Sequence, residues 1–296
     1  MVTAADFDRD YARRLTLDSK ELTAELSALG IGRDGLPMEP VAPGQVPEPG
    51  QLLPGVSVII PTYRGAGRIM GALMSLVDQD LDPSRFEIIV IPNGPDDGTR
   101  ALLAAFVRSQ PDLTVRVIAT APASAGGARN IGLAAARFAN VTFVDDDDEV
   151  ERSYLSSALA MATPEVIVVS PLVDVHLDGT RDANTMVSTR LSALVGRPTP
   201  LHQVPWVLGL NACKLVPTHL AQAYRFREDL ASGEDLVYFA ELLHHPQLSA
   251  VAAREGADTA YLRALRDDSI SRRALDVDFA VDQRLSCIRA LSAIDV

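Results

Sequence analysis

Thiols are scarce in this chain. Its two cysteines, Cys213 and Cys287, stand far apart and in no metal-ligand spacing, which argues against a disulfide framework and a thiolate zinc site and fits a reducing compartment. Long apolar runs are missing as well: no stretch of about eighteen such residues occurs, so no transmembrane segment is expected. The opening MVTAADFDRDYARR lacks the apolar stretch of a secretory signal. The expected location is therefore the cytoplasm, with attachment to the inner membrane face only by way of a partner. Positive charge is in deficit, with 27 Lys and Arg against 39 Asp and Glu and a formal net charge of -12. That balance argues against nucleic acid as a partner, and a polyanionic ligand would need a metal or a local basic pocket.

What is present suffices for one sizeable core, or one core with an appended lobe: 296 residues, 47% of them hydrophobic. Residues 3 to 29 read as a charged helix with Leu15, Leu22, Leu26 and Leu29 on one side, a pattern able to dock on the core or on a second copy in a homo-oligomer. A proline-rich linker follows, so residues 1–54 are expected to stand apart. From there the pattern is regular. VSVII (56–60) reads as a strand stopped by Pro61, Ile69 to Val77 as a helix, and FEIIVI (86–91) as a second strand. A helix over Thr99 to Arg108 and the strand TVRVIA (114–119) come next. A Gly-Gly turn then leads into a helix through Phe138, with Ile131, Ala134, Ala135 and Phe138 on its apolar face, and VTFVD (141–145) closes the series. This alternation predicts an α/β fold with a mostly parallel, Rossmann-like sheet flanked by helices. Ligands of such sheets bind beyond the carboxyl ends of the strands. There the sequence places Thr62-Tyr63-Arg64, Pro92-Asn93-Gly94 and the acid run Asp145 to Glu149.

Five consecutive carboxylates repel one another unless they are solvated or hold a cation. The run FVDDDDEV is either a cation site or a turn in which Asp148 or Glu149 caps a helix beginning near Arg152. Gly233-Glu234-Asp235 opens a helix with Leu236, Phe239, Ala240 and Leu243 in a stripe; its acids are either chemical or an N-cap. In AGGARN, Gly126 and Gly127 suit a tight turn or an anion at a helix N-terminus, and Arg129 could reach a phosphate. Trp206 can stack on a sugar ring or fill core space. His244-His245 ends a helix, where a cation satisfies the dipole, and His202 has no assigned role.

Five ordered segments, VSVIIPTYRGAGRIMGALMSLVDQ, FEIIVIPNGPDDGT, AGGARNIGLAAA, FVDDDDEV and SGEDLVYFAELL, resemble the inverting family-2 glycosyltransferases of the GT-A fold over roughly residues 55–275. The resemblance implies transfer of a sugar from a nucleotide-diphosphate sugar donor to a hydroxyl acceptor, which is a glycan, a lipid-linked molecule or a small molecule. It divides the chain into a nucleotide-sugar half (55–150), an acceptor and base half (151–275) and a C-terminal helix (276–296). Its Asp-any-Asp motif falls on Asp145 and Asp147, with Asp147 binding Mn²⁺ or Mg²⁺ and Asp145 facing the ribose or a metal-bound water. Asp235 is implied as the base, with Glu234 as alternate. Pro61, Thr62, Tyr63, Arg64, Asn93, Arg129, Asn130 and Asp146 are implied around the donor, Ser269, Ser271 and Arg272 around its phosphates, and Trp206 at the acceptor. Two departures stand out. Pro92-Asn93 replaces an acidic pair that reads the nucleobase, and Arg266-Asp267-Asp268 stands where relatives often carry a metal-binding histidine. A nucleotidyltransferase, and a non-catalytic nucleotide- or glycan-binding subunit of a glycosyltransferase complex, are the rival readings.

Overall fold

From Gly55 to Thr62 every residue of the first strand, β1 (Leu53–Thr62), is buried, because the strand lies in mid-sheet with both faces covered. That is why it reads as a continuous apolar run and not as an alternation. The computed structural model describes residues 52–230, 232–254, 256–265 and 284–294. After β1 come helix α1 (Ile69–Val77), β2 (Phe86–Pro92), α2 (Thr99–Ser109), β3 (Thr114–Val117), α3 (Ala125–Ala135) and β4 (Phe138–Phe143). These four strands pair in parallel in the order β3-β2-β1-β4.

Two expectations are corrected here. Pro61 does not stop β1; it pairs in register with Ile91. Alternate residues of a strand face alternate neighbours: the Thr62 carbonyl accepts from Asn93 N (2.9 Å) on the β2 side, and the Ile59 carbonyl accepts from Val144 N (3.0 Å) on the β4 side. Pro61 therefore turns its missing donor toward β4, whose pairing with β1 has ended at Phe143. Nor does α3 reach Phe138. It ends at Ala135, Ala136 is already extended, and Phe138 begins β4. Its buried face carries Ala128, Leu133 and Ala135, while Ala134 is exposed. Gly126 and Gly127 lie inside its first turn, and a Cβ on Gly132 would sit 2.4 Å from Ile59 Cγ2. Glycine at that position is what lets the helix lie so close to the sheet.

The second half is less regular. It runs β5 (Glu149–Val150), α4 (Tyr154–Leu159), β6 (Val166–Val169), β7 (Leu172–Val175), β8 (Arg181–Asp182), α5 (Met186–Leu191), β9 (Thr199–Pro200), β10 (Lys214–Pro217) and α6 (Thr218–Ala221). Then follow α7 (Glu234–Glu241), β11 (Ser249–Ala252), β12 (Tyr261–Ala264) and α8 (Arg284–Ser292). The main sheet continues past β4 as β10-β6-β11-β9, and β10 runs antiparallel to both neighbours, so the parallel order is confined to the first half and the β6–β11 pair. A second sheet, β5-β12-β7-β8, starts directly after the acid run and brackets it. Most of the buried apolar residues from Val56 to Tyr261 form one core under both halves, and Leu230 and Val237 pack with Ala290 of α8 in a smaller cluster. Among the described residues no helix is long and apolar enough to cross a membrane. Residues 1–51, with the expected helix and most of the linker, lie outside the described residues.

Candidate active site

The acid run is sorted by the turn that holds it. The Asp148 amide donates to the Asp145 carbonyl (3.1 Å), closing a tight turn just past β4. Asp146 and Asp148 point inward and are buried, whereas Asp145 and Asp147 are half-buried. Asp146 accepts from Thr62 Oγ1 (2.5 Å) and from Arg68 Nε (2.8 Å). The same guanidinium donates to the carbonyls of Tyr63 (2.6 Å) and Arg64 (2.9 Å), so Arg68 clamps the β1 loop onto the acid turn. The fit requires glycine at 65, where a Cβ would lie 2.1 Å from Thr62 Oγ1. Asp148 accepts from Tyr261 Oη (2.7 Å) and from the Ala264 amide (2.8 Å), and Tyr261 Oη in turn accepts from the Asp145 amide (3.1 Å). Burial first, then the charges of Asp145 and Asp147, push the Asp148 carboxyl well above the ordinary range.

These contacts correct the capping alternative. Neither Asp148 nor Glu149 caps a helix: Glu149 is in β5, and α4 starts at Tyr154 without a side-chain cap. They also place Thr62 and Asp146 inside the fold, as anchors of the rim and away from its surface.

Next to the acid turn, joined to it through Arg129, stands α7. Gly233 precedes it in a left-handed conformation (φ 80°), and no side chain caps it. Glu234 and Asp235 are therefore not N-caps; they form the first turn. Val237, Tyr238, Phe239 and Ala240 are buried, with Leu242 beyond, so α7 is covered on more than one side, whereas Leu236 and Leu243 are only half-buried. Glu234 accepts from Arg129 Nη1 (2.8 Å), and Arg129 Nη2 reaches Asp145 Oδ1 (3.2 Å). Arg129 is itself buried, with its guanidinium 5.5 Å from the Phe226 ring centre. One cation thus joins the acid turn to the first turn of α7, and its expected place on a phosphate is taken by two carboxylates. Asp235 is half-buried and accepts from the Leu236 amide (2.8 Å). Burial, then the neighbouring Glu234 charge, raise its pKa, against the opposing pull of that amide, Lys214 and Arg129.

The other expected residues sort as follows. Asn130 is buried and structural: its Nδ2 donates to the Phe226 carbonyl (3.0 Å) and to Glu228 Oε1 (3.2 Å), and its Oδ1 accepts from Phe226 N (2.8 Å). The Gly127 amide donates to Ser124 Oγ (3.0 Å), so α3 caps itself where an anion was expected. Asn93 gives its side-chain amide to the Thr62 carbonyl (2.9 Å). Pro61 is buried, while Tyr63 and Arg64 are exposed on the rim, with the Tyr63 ring close against Gly94. Trp206 is half-buried on a 3-10 turn (Pro205–Gly209) that packs on α7. His244 Nδ1 contacts the Glu241 carbonyl (2.8 Å), as the end-of-helix reading expects. Ser269, Ser271 and Arg272, with Arg266-Asp267-Asp268, lie outside the described residues. Arg68, Tyr261 and Lys214 went unforeseen; only Lys214, one cation in the apolar run ACKLVP, left a signal in the sequence.

Among the described residues no three His, Cys, Asp or Glu side chains converge as a closed metal cage. The donor set still suits a small divalent ion. Mg²⁺ and similar cations take one or two carboxylates and complete their shell with water and substrate phosphate, and half-buried Asp145 and Asp147 offer such oxygens at the acid turn.

The sequence profile described as Glycosyl transferase family 2 matches residues 57–210, more than half of the chain. The succinoglycan biosynthesis protein ExoO of Rhizobium meliloti is 30% identical over 234 residues, covering 74% of this chain and 63% of that protein. The chain thus matches less than two thirds of that relative's length. Among solved structures, S. aureus TarS 1–349 in complex with UDP-GlcNAc superposes with a TM-score of 0.61 at 21% identity, over 82% of this chain and 68% of that one. The mannosyltransferase PcManGT from Pyrobaculum calidifontis, solved with GDP-Man and Mn²⁺, gives 0.59 at 20% identity, over 82% and 66%. At such identities the likeness establishes the fold, which is the GT-A arrangement.

Proposed function

The chain belongs to glycosyl transferase family 2, and from that premise we propose that it moves a sugar with inversion from a nucleotide-diphosphate sugar to a hydroxyl acceptor, with a divalent cation bound. The observation that supports this reading is the Arg129 bridge, which ties Asp145 of the acid turn to Glu234 in the first turn of α7 and so brings the two groups of carboxylates together. Inversion needs a base close to the ion site but on the acceptor side, because the acceptor oxygen attacks the anomeric carbon from the face opposite the leaving diphosphate.

In this scheme the exposed Tyr63 ring meets the nucleobase and ribose at the rim, and Asn93, buried behind it with its Nδ2 on the Thr62 carbonyl, has its side-chain oxygen left for the base. Asp147, with Asp145 beside it, holds Mn²⁺ or Mg²⁺, which when bound supplies a Lewis acid for the departing diphosphate. Asp235 accepts the proton of the acceptor hydroxyl as the new carbon–oxygen bond forms and the bond to the diphosphate breaks. Glu234 is the weaker candidate for that proton, since its carboxylate is tied to Arg129 at 2.8 Å. Its role is to hold the helix start in place and to keep the Asp235 pKa high. Trp206, on the turn packed against α7, offers a face to an acceptor sugar.

Because the relatives are solved with UDP-GlcNAc and GDP-Man, those two donors are the first to test. A thermal-shift titration with and without Mn²⁺ checks binding, since a ligand at 100 times its Kd adds about 2.7 kcal/mol to stability. Release of UDP or GDP with appearance of a β-product from an α-donor checks the reaction. A donor that binds but is never turned over with any acceptor or water would favour a non-catalytic subunit.

A further inference from the structure

We propose that Lys214 is a positioning residue for the base: from β10 it sets a buried ammonium against the face of α7 that carries Asp235, holding that carboxylate in its proton-accepting form. The inference rests on the reading of Asp235 as the base and deepens it.

The residue is out of character for this chain. Its cations are arginines save two lysines, Lys20 and Lys214, and one of the two stands in the core, 2% exposed. A buried ammonium with three donors normally finds acceptors. Lys214 Nζ has no hydrogen-bond partner among the described residues. Its close neighbour is the face of Phe239, 4.3 Å from the ring centre, a contact that steadies a cation without neutralising it. Phe239 follows Asp235 by one helical turn, so the two share a face of α7. The charges of Lys214 and Asp235 act on one another in both directions.

The charged and titratable groups around the pair explain why such a cation matters. Asp235 faces Glu234, Arg129 and the Cys287 thiol on α8 as well as Lys214, and Lys214 also faces the thiol of Cys213, the residue just before β10. Arg129 already serves Glu234 and Asp145, which leaves Lys214 as the cation in this group not hydrogen-bonded to another carboxylate. Burial and Glu234 would otherwise drive Asp235 toward its neutral form, in which it cannot take a proton. Burial lowers the Lys214 pKa to about 8, with the Cys213 and Asp235 charges opposing, so its ammonium is still mostly present at neutral pH.

With two lysines in the chain, carbon-13 lysine labelling of the full-length protein yields two ε-carbon signals, and Lys20→Arg assigns the one that remains to Lys214. Expected is a Lys214 titration below the ordinary lysine range that moves to lower pH in Asp235→Asn, while the Lys20 signal stays put. An unmoved Lys214 titration in that variant overturns the proposal, and this arm needs no substrate and no folded Lys214 variant. In the second arm, release of nucleoside diphosphate from UDP-GlcNAc, or from GDP-mannose if the thermal titration selects it, is followed against pH. Lys214→Met should shift the acid limb of kcat upward, lowering the rate on that limb by up to about tenfold for a shift of one unit, with donor affinity unchanged. An unmoved profile, with Asp235→Asn still inactive, overturns the role of Lys214 and leaves the base in place. Full turnover in Asp235→Asn removes the base reading itself.

Discussion

Asp235 concentrates the chemistry of the proposed reaction, and its environment makes opposite demands on activity and stability. Burial and Glu234 raise its pKa, so the folded carboxyl holds its proton at a pH where the unfolded one, near the ordinary 3.9, has lost it. Between the unfolded and the folded pKa the native state therefore binds more protons, and stability from this group falls as pH rises through that window. Asp235→Asn should accordingly raise the melting temperature at pH 7, and the gain should vanish below about pH 3.9. The same variant should cut transfer about a hundredfold or more with little change in donor affinity. Calorimetric melts at two pH values and one kinetic series check both halves; a variant less stable at pH 7 would show that the carboxylate is structural. Asp147 is argued at the same scale. Asp147→Asn keeps the side chain's size but removes its charge, so Mn²⁺-dependent nucleotide affinity should fall by more than tenfold while the melting temperature of the free protein stays within about 2 °C. Isothermal titration of UDP with and without Mn²⁺ decides it, and equal affinities would take Asp147 out of the ion site.

At the scale of elements, the site depends on a relay from α3 to α7 that no single motif announces. Asn130 on α3 fixes Phe226 by both its amide and its carbonyl, and the Phe226 ring stacks on Tyr238 of α7 at 3.8 Å and meets Phe143 at the end of β4 edge-on at 5.5 Å. Asn130→Ala strips two hydrogen bonds from buried backbone groups, a loss of about 2–4 kcal/mol at 1–2 kcal/mol each. Because the stack carries α7, turnover should drop by more than donor affinity does. Urea unfolding measures the first effect and kinetics the second; unaltered stability would mean that loop 226–228 holds its place without α3. Such relays also mark where the sequence stops being legible. The strands and helices from β1 to β4 could be read from β-branched runs and turn residues because each is long enough to show its period. The exceptions have local causes: Pro61 survives in β1 because its missing donor faces an unpaired side, and α3 stops early because the chain turns extended at Ala136 to enter β4 at Phe138. Past β4 the strands shrink to two to four residues, as in Val166–Val169 and Leu172–Val175, too short for a period, and their order depends on contacts between residues far apart in sequence. In the site, the spacing of Asp145 and Asp147 was legible. That Arg129 would face two carboxylates, or that Tyr261 would reach back to Asp148, was not.

For the whole molecule the question is where the folding unit begins. β1 is the axis of the main sheet, paired on both sides, and its first two residues, Leu53 and Pro54, are exposed before burial sets in at Gly55. Every contact described above for the acid turn, for α7 and for the bridge between them is made by residues from Thr62 onward. The proline-rich stretch ahead of β1 suits a spacer more than a core element. Deleting residues 1–51 should therefore leave a chain that unfolds in one cooperative transition, within about 5 °C of the full-length melting temperature, and binds nucleotide with unchanged affinity. Urea denaturation adds a second reading, since its slope scales with the surface exposed on unfolding. If residues 1–51 bury nothing against the core, the slope should stay the same. If the leucines of residues 3–29 join two copies, sedimentation would show the full chain as a dimer and the truncated one as a monomer, again with nucleotide binding intact. A truncated chain that is molten, with a shallow slope and no nucleotide affinity, would place the first fifty residues inside the catalytic core and move the boundary of the folding unit upstream of β1.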